Sequence, residues 1–169
     1  WHEDAPTKAV LTNLFSDMNS CLTYTAFLHT GQDEAFTNDS AYASHVNFVR
    51  SAFEAANPKK ATMMMWTDYP GRDTTYLNGI TNKAGTIVVQ WGYSSGPSTD
   101  GYIAKVPEII SKGFRALGAP GIAAHNDDPG SYFVRYPGHT FPNMRKWAKQ
   151  ITTNAEGLLS CVWYGTPFD

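Results

Sequence analysis

The chain has 169 residues, which is enough for one domain with a substantial core. Its formal net charge is −2, only 17% of its residues are charged, and no basic run is longer than Lys59-Lys60. Nucleic acid and anionic membranes are therefore excluded as expected partners. No apolar run reaches the length of a membrane span, and the aromatic content of 14% favours a globular protein with an aromatic-lined cleft.

Helical and extended patterns alternate along the chain. Apolar residues recur at helical spacing in four segments, whereas β-branched and aromatic residues cluster in five short ones. The predicted helices cover residues 5–18, 41–56, 102–112 and a segment that opens at Thr140 or Asn143 and ends near residue 154, with a further helical turn at 78–83. The predicted strands cover residues 22–29, 61–66, 86–91, 114–117 and 158–163.

This alternation predicts an α/β domain built on a parallel sheet. Strands that are separated by helices, with no hairpin signal between them, form parallel sheets. The strands are nearly continuous apolar runs, as in Ile87-Val88-Val89, which is typical of strands whose two faces are both covered. Asp39 or Ser40 is expected to cap the second helix. We find no linker, so residues 1–169 are interpreted as one domain.

Tryptophans and acidic residues recur directly after the predicted strands. The carboxyl ends of parallel strands meet at one edge of a sheet, so these side chains are expected to line one rim. Flat aromatic rings stack on apolar sugar faces and carboxylates bind hydroxyls, so the pattern predicts a carbohydrate cleft. The residues concerned are His29, Asp33, Glu34, Trp66, Asp68, Trp91, Tyr93, Asn126, Asp127 and Trp163.

Asp33 and Glu34 form a pair of adjacent carboxylates after the first strand. Because side chains alternate along a strand, the two could not face one pocket in regular β geometry. The backbone is therefore expected to turn at Gly31-Gln32 and bring both side chains to the same hollow.

The segment that carries this pair resembles a known family. His29-Thr30-Gly31-Gln32-Asp33-Glu34 is similar to the strand end His-x-Gly-Gly-Asp-Glu of glycoside hydrolase family 20, the β-N-acetylhexosaminidases, with Gln32 in place of the second glycine. Further segments resemble the later strands and the closing helix of that family, in the same order. They are Met65-Trp66-Thr67-Asp68, Val88-Val89-Gln90-Trp91, and residues 143–148 and 157–163.

The resemblance implies a (β/α)8 barrel, of which this chain would supply about the C-terminal five strands, and retaining, exo-acting hydrolysis. Glu34 would be the general acid and base, and Asp33 would orient the acetamido group of the substrate. The acetamido oxygen would then be the nucleophile, with no cofactor. Trp66, Trp91 and Trp163 would wall the sugar pocket. His29, Asp68, Tyr93 and Asp127 would complete the substrate site.

The chain departs from the family in length and in two positions. A complete barrel needs about 250 residues, and the family's sugar-binding arginine has no counterpart here. Tyr164-Gly165 follows Trp163 where the family usually has an acid. The unpaired backbone groups of an edge strand readily pair with a strand of another chain. The chain is therefore expected to self-associate as a homo-oligomer or to need a separate N-terminal half of the barrel.

Two other functions are compatible with the sequence. Gly92-Tyr93-Ser94-Ser95-Gly96 matches the G-x-S-x-G pattern of serine hydrolases, with Asp127 or Asp128 and then His139 as later partners, although no helix is expected directly after Ser94. A sugar-binding half-barrel without turnover would keep the tryptophan rim. The five histidines show no metal-ligand spacing. Cys21 and Cys161 are interpreted as buried free thiols.

Overall fold

The computed structural model describes residues 4–21, 26–35, 37–56, 61–93, 97–123 and 137–162. Within these ranges, helices and strands alternate along the chain as predicted. The helices are α1 (Ala5–Cys21), α2 (Asp39–Ala55), α3 (Ser98–Ser111) and α4 (Pro137–Gln150). The strands are β1 (Phe27–His29), β2 (Thr62–Trp66), β3 (Thr86–Trp91), β4 (Arg115–Ala119), β5 (Gly121–Ala123), β6 (Gly157–Leu158) and β7 (Cys161–Val162). Among the described helices, none is both long and apolar enough to cross a membrane.

The main sheet contains five parallel strands in the order β1-β2-β3-β4-β6. Each of the first four strands lies beside the strand that precedes it in the chain, so the described part of the sheet has no point at which the strand order reverses. This order differs from that of doubly wound sheets. It is compatible with part of a β/α barrel, in which successive units are added in one direction.

The two faces of this sheet have different neighbours. Met63, Met65 and Val88 belong to one large apolar cluster together with side chains of all four helices. Met64 and Val89, which alternate with them along the same strands, belong to a second and smaller cluster that contains no helical side chain among the described residues. The helices therefore cover one face of the sheet, and the other face is left to residues of the strands and their ends.

Several boundaries differ from the sequence predictions for local reasons. The cap of α2 is Asn38, whose side chain accepts a hydrogen bond from the Ala41 N–H at 2.9 Å. The helical turn predicted at 78–83 does not form over that range. One short 3₁₀ helix, Thr74–Leu77, ends just before it, and another, Lys83–Gly85, begins at its last residue. The helix α3 begins at Ser98, four residues before its predicted start at Tyr102.

The predicted last strand is divided into two pieces because its partner is divided. Pro120 separates β4 from β5 and has no N–H to donate to a sheet. The returning chain pairs first with β4 through β6 and then with β5 through β7. The Cys161 N–H donates to the Pro120 carbonyl at 2.9 Å, which places the break in one strand beside the break in the other.

The helix α4 is tied to the sheet by a buried polar contact. The Gly92 carbonyl accepts hydrogen bonds from Asn143 Nδ2 at 3.0 Å and from Trp147 Nε1 at 2.9 Å. The Asn143 Oδ1 accepts in turn from the Gly121 N–H at 3.1 Å. Both side chains are fully buried, so one helix joins the residue after β3 to the start of β5.

The close approach of α4 to β4 gives a test of this packing. A Cβ atom at Gly118 would lie 2.5 and 2.6 Å from two carbons of the Trp147 ring. We expect Gly118→Ala to lower the free energy of unfolding by about 1–3 kcal/mol, because a rigid ring cannot give way cheaply. Gly101→Ala on α3 is the matched control, since a Cβ there meets nothing within 4 Å. Urea titration of both variants measures the difference, and equal stabilities would contradict the packing described.

Candidate functional site

The chain leaves β1 through residues 31–34, three of which have positive φ. We call this segment, which carries Asp33 and Glu34, the acidic turn. Gly31 and Gln32 have φ values of 81° and 84°, and Glu34 has a φ of 52°. Positive φ is unfavourable for residues other than glycine, so Gln32 and Glu34 need support from their surroundings. Tyr42 of α2 provides part of it, because its hydroxyl donates to the Gln32 carbonyl at 2.9 Å. Gln32 adopts a conformation that usually favours glycine, so the backbone departs from strand geometry at the expected place. That the chain turns there so as to bring both acids together stays a prediction.

The end of β2 holds this turn through its backbone. The Trp66 N–H donates to the Gly31 carbonyl at 2.9 Å, and the Glu34 N–H donates to the Asp68 carbonyl at 2.6 Å. The Thr30 N–H also donates to the Met64 carbonyl at 2.9 Å. The backbone between Thr30 and Glu34 therefore makes three hydrogen bonds to β2 and the residues after it. The position of the acidic pair is thus set by the neighbouring strand.

Asp33 and Glu34 both lie exposed just beyond the carboxyl end of β1. This is the end of a parallel sheet at which α/β proteins place their chemistry. Asp33 lies close enough to His29 for its charge to favour the protonated imidazole. That the two carboxylates face the same hollow stays a prediction.

The imidazole and indole side chains meet on the sheet face that lacks helices. In the sheet register, His29 lies beside Met64, Trp66 beside Val89, and Trp91 beside Ala119. The three partners all belong to the smaller apolar cluster on that face. Register partners point to the same side of a parallel sheet, so His29, Trp66 and Trp91 share one face.

Two close ring pairs result from this arrangement. The rings of His29 and Trp66 are 4.5 Å apart between centroids, and those of Trp91 and Tyr93 are 5.3 Å apart. Trp91 Nε1 donates to the Thr67 carbonyl at 3.0 Å, which fixes that indole at the end of β2. We call these four side chains, which share the sheet face without helices, the aromatic surface; the charge of Asp33 acts on its His29.

His29 is held in its neutral form, and its hydrogen bonding shows which ring nitrogen carries the proton. The Gly31 N–H donates to its Nδ1 at 3.0 Å, so this nitrogen carries no proton and Nε2 carries it. Burial lowers the pKa of His29, and the negative charge of Asp33 opposes that shift. The Nε2 atom is buried and has no hydrogen-bond partner in the described part of the chain. A bound polar group would reach this donor only after the groups that cover it move.

Asp68 occupies a position unlike the one predicted for it. It is 0% exposed, and both of its carboxylate oxygens are used within the protein. Its Oδ1 accepts from the Ala35 N–H at 2.6 Å and its Oδ2 from Arg72 at 2.6 Å. Instead of presenting oxygens to a ligand, this carboxylate anchors the chain directly after Glu34. Reasoning from the sequence did not single out Arg72 or Tyr42, because only the fold brings them to the turn.

An open cleft of about 540 Å³ borders this anchor. It is lined by Asp68, Tyr69 and Arg72 together with Thr37, Asn38 and Asp39 at the start of α2. None of the rings of the aromatic surface is among its described lining residues, so we describe the cleft and the aromatic surface as separate features.

Some predicted residues cannot be placed. Asp127, Trp163 and the alternative nucleophile Ser94 with its candidate partner Asp128 lie outside the described residues. His139 lies in α4 at a position whose side chain is not described. The described cysteines are both free, with Cys161 buried as predicted and Cys21 exposed, contrary to the prediction. No group of three or more metal-binding side chains occurs within the described ranges.

The neutral His29 predicts a dependence of stability on pH. A histidine whose pKa is lowered by folding takes up its proton more readily in the unfolded chain, so the folded state loses stability as pH falls below about 6.5. We expect His29→Asn, whose side-chain oxygen can still accept from the Gly31 N–H, to lose less stability between about pH 7.5 and about pH 5. Urea titrations of both proteins at the two pH values measure this, and an identical loss would argue against the assigned protonation state.

Comparison of the chain with protein-family models and with curated proteins gives no match. The likeness to glycoside hydrolase family 20 therefore rests on the strand-end residues themselves.

Proposed function

We propose that this chain carries a retaining β-N-acetylhexosaminidase-type site that acts on terminal N-acetylhexosamine. One observation carries the proposal: two exposed adjacent carboxylates, Asp33 and Glu34, lie on a braced left-handed turn at the carboxyl end of a parallel strand. The aromatic surface of His29, Trp66 and Trp91 next to them supports a sugar as the ligand, because indole faces stack on apolar sugar faces.

The adjacency of the two acids favours substrate-assisted catalysis. A nucleophile and an acid that flank one glycosidic bond in a retaining enzyme stand about 5–5.5 Å apart on opposite sides of the sugar. Neighbouring residues on one turn are better suited to act on neighbouring atoms of one substrate. In the proposed reaction, Glu34 donates a proton to the glycosidic oxygen, and Asp33 accepts a hydrogen bond from the acetamido N–H.

The chemical steps balance without an enzyme nucleophile. The acetamido oxygen attacks the anomeric carbon while the glycosidic C–O bond breaks, and the proton of the Glu34 carboxyl passes to the leaving oxygen. Glu34, now a carboxylate, removes a proton from water, and that water opens the cyclic intermediate. Two inversions at the anomeric carbon retain the β configuration, and Glu34 recovers its proton for the next cycle.

The remaining site residues have supporting roles in this proposal. Trp66 and Trp91 wall the pocket, with Trp163 as the expected third wall. His29 borders the pocket, and its buried Nε2 would donate to a sugar or acetamido oxygen only after the groups that cover it move. Tyr93 and Asp127 add polar contacts. The five-stranded sheet would form part of the (β/α)8 barrel that the family resemblance implies.

Substitution of the acid tests the reaction. We expect Glu34→Gln to lower kcat for an aryl N-acetyl-β-glucosaminide by about 10²–10⁴-fold, because the amide cannot donate or accept the transferred proton. Glu156→Gln is the matched control, since Glu156 is exposed and pairs with Arg115 near the opposite end of the strands. Asp33→Asn should impair acetamido substrates in particular. Unchanged turnover in Glu34→Gln would end the assignment, and sugar binding without hydrolysis by the native chain would favour a non-catalytic module.

We also propose that the free edge of β1 is covered in the working protein. Among the described strands β1 pairs only with β2, and Phe27 on it is 49% exposed. Val10 and Leu14 lie one turn apart on α1 and are 66% and 51% exposed. A second copy of the chain, or a separate polypeptide that supplies the other strands of the barrel, would bury this edge and these side chains.

Light scattering tests the covered edge. We expect the purified chain to have a mass above the 18.6 kDa of the monomer, or to co-purify with a partner polypeptide. Leu14→Glu should shift the protein towards the monomer, because a charge cannot be buried cheaply in an apolar contact. Ala104→Glu, at an exposed position of α3, is the control. A fully active monomer would refute this proposal.

A further inference from the structure

Arg72 makes three short polar contacts that converge on the segment after the acidic turn. Its Nη1 donates to Asp68 Oδ2 at 2.6 Å. Its Nη2 donates to the Thr37 carbonyl and to Asp39 Oδ1, both at 2.7 Å. The planar guanidinium presents donors in several fixed directions, and a lysine ammonium could not meet the three acceptors in the same geometry.

Aromatic rings fix the guanidinium in place. Its central carbon lies 4.7 Å from the centroid of the Tyr76 ring and 5.5 Å from that of Tyr42. The two rings are themselves packed edge to face, with centroids 4.9 Å apart. Both tyrosines are almost completely buried, so Arg72 packs against a rigid wall of the helical core.

The charge of Arg72 matches its surroundings. Burial acts to lower the pKa of Arg72, but hydrogen bonds to Asp39 and Asp68 outweigh it and raise the pKa. The hydrogen bond from Arg72 is the main cause of the lowered pKa of Asp39. A carboxylate as buried as that of Asp68 needs a charged partner, and Arg72 is the one the structure provides.

These contacts hold both ends of the segment that follows the acidic pair. On one side Arg72 holds Asp68, whose side chain and carbonyl accept from the Ala35 and Glu34 N–H groups. On the other side it holds Thr37 and Asp39, where the chain enters α2. The chain from Glu34 to Asp39 is thus tied at both ends to one guanidinium group.

We propose that Arg72 is a positioning residue that sets the place of Glu34 through the Asp68 carboxylate. The effect on the backbone is a property of the fold, whereas the effect on turnover rests on the proposed function. Displacement of a catalytic group by about 1 Å can cost about 100-fold in rate. Loss of Arg72 should therefore lower kcat far more than it changes KM.

Amide hydrogen exchange tests the positioning role without reference to activity. We expect Arg72→Met to speed exchange of the Glu34 and Ala35 amides by about tenfold or more, because their acceptors on Asp68 lose a charged anchor. Arg72→Lys should restore part of the protection. The control is Arg115→Met, which removes an exposed ion pair with Glu156 and should leave both amides unchanged. Unchanged exchange of Glu34 and Ala35 in folded Arg72→Met would overturn the inference.

Two further measurements distinguish a failure of the positioning role from a failure to fold and from a failure of the proposed function. If Arg72→Met does not fold by circular dichroism, Asp68→Asn replaces it, since an amide oxygen can still accept from Ala35 but no longer pairs with a charge. Exchange of both amides should again rise, and an unchanged rate would overturn the inference. With an aryl N-acetyl-β-glucosaminide, kcat should fall by about 10–100-fold in Arg72→Met with KM little changed. Absence of turnover in the native chain would refute the proposed function, and exchange alone would then decide the role of Arg72.

Discussion

The buried carboxylate of Asp68 is the interaction on which the candidate site depends. A charge that is fully removed from water is stable only when its oxygens are paired and hydrogen-bonded. One oxygen accepts from the backbone after Glu34 and the other from Arg72, so the end of β2 is joined to the turn that follows β1. A buried, paired charge therefore helps to specify where the acidic pair lies.

The division of the sheet into two faces explains how a site can coexist with a closely packed core. Side chains such as Met63 and Val88 pack against the helices, whereas His29, Trp66 and Trp91 lie on the other face. The two sets alternate along the same strands and share no side chain. The core can therefore be optimised for packing while the opposite face keeps polar and aromatic groups that packing alone would not select.

Tyr42 connects these two regions. It is almost fully buried among the helical side chains of the large cluster, yet its hydroxyl reaches the carbonyl of Gln32 in the left-handed turn. Burial raises the pKa of Tyr42 strongly, so the phenol stays protonated and remains a donor. Through this contact the strain of a non-glycine residue at positive φ is offset by the packing of α2 against the sheet.

The sequence by itself determined the parts that depend on short-range rules. Periodicity predicted alternating helices and strands, residues 86–91 as a strand, and a parallel sheet. Only the tertiary structure decided that Asp68 is buried, that Arg72 reaches Thr37 across 35 positions, and that the last strand breaks beside Pro120. The physical reason is that local patterns record which face of an element is apolar. They do not record which distant backbone group a buried charge must satisfy, because that partner is chosen when the elements pack.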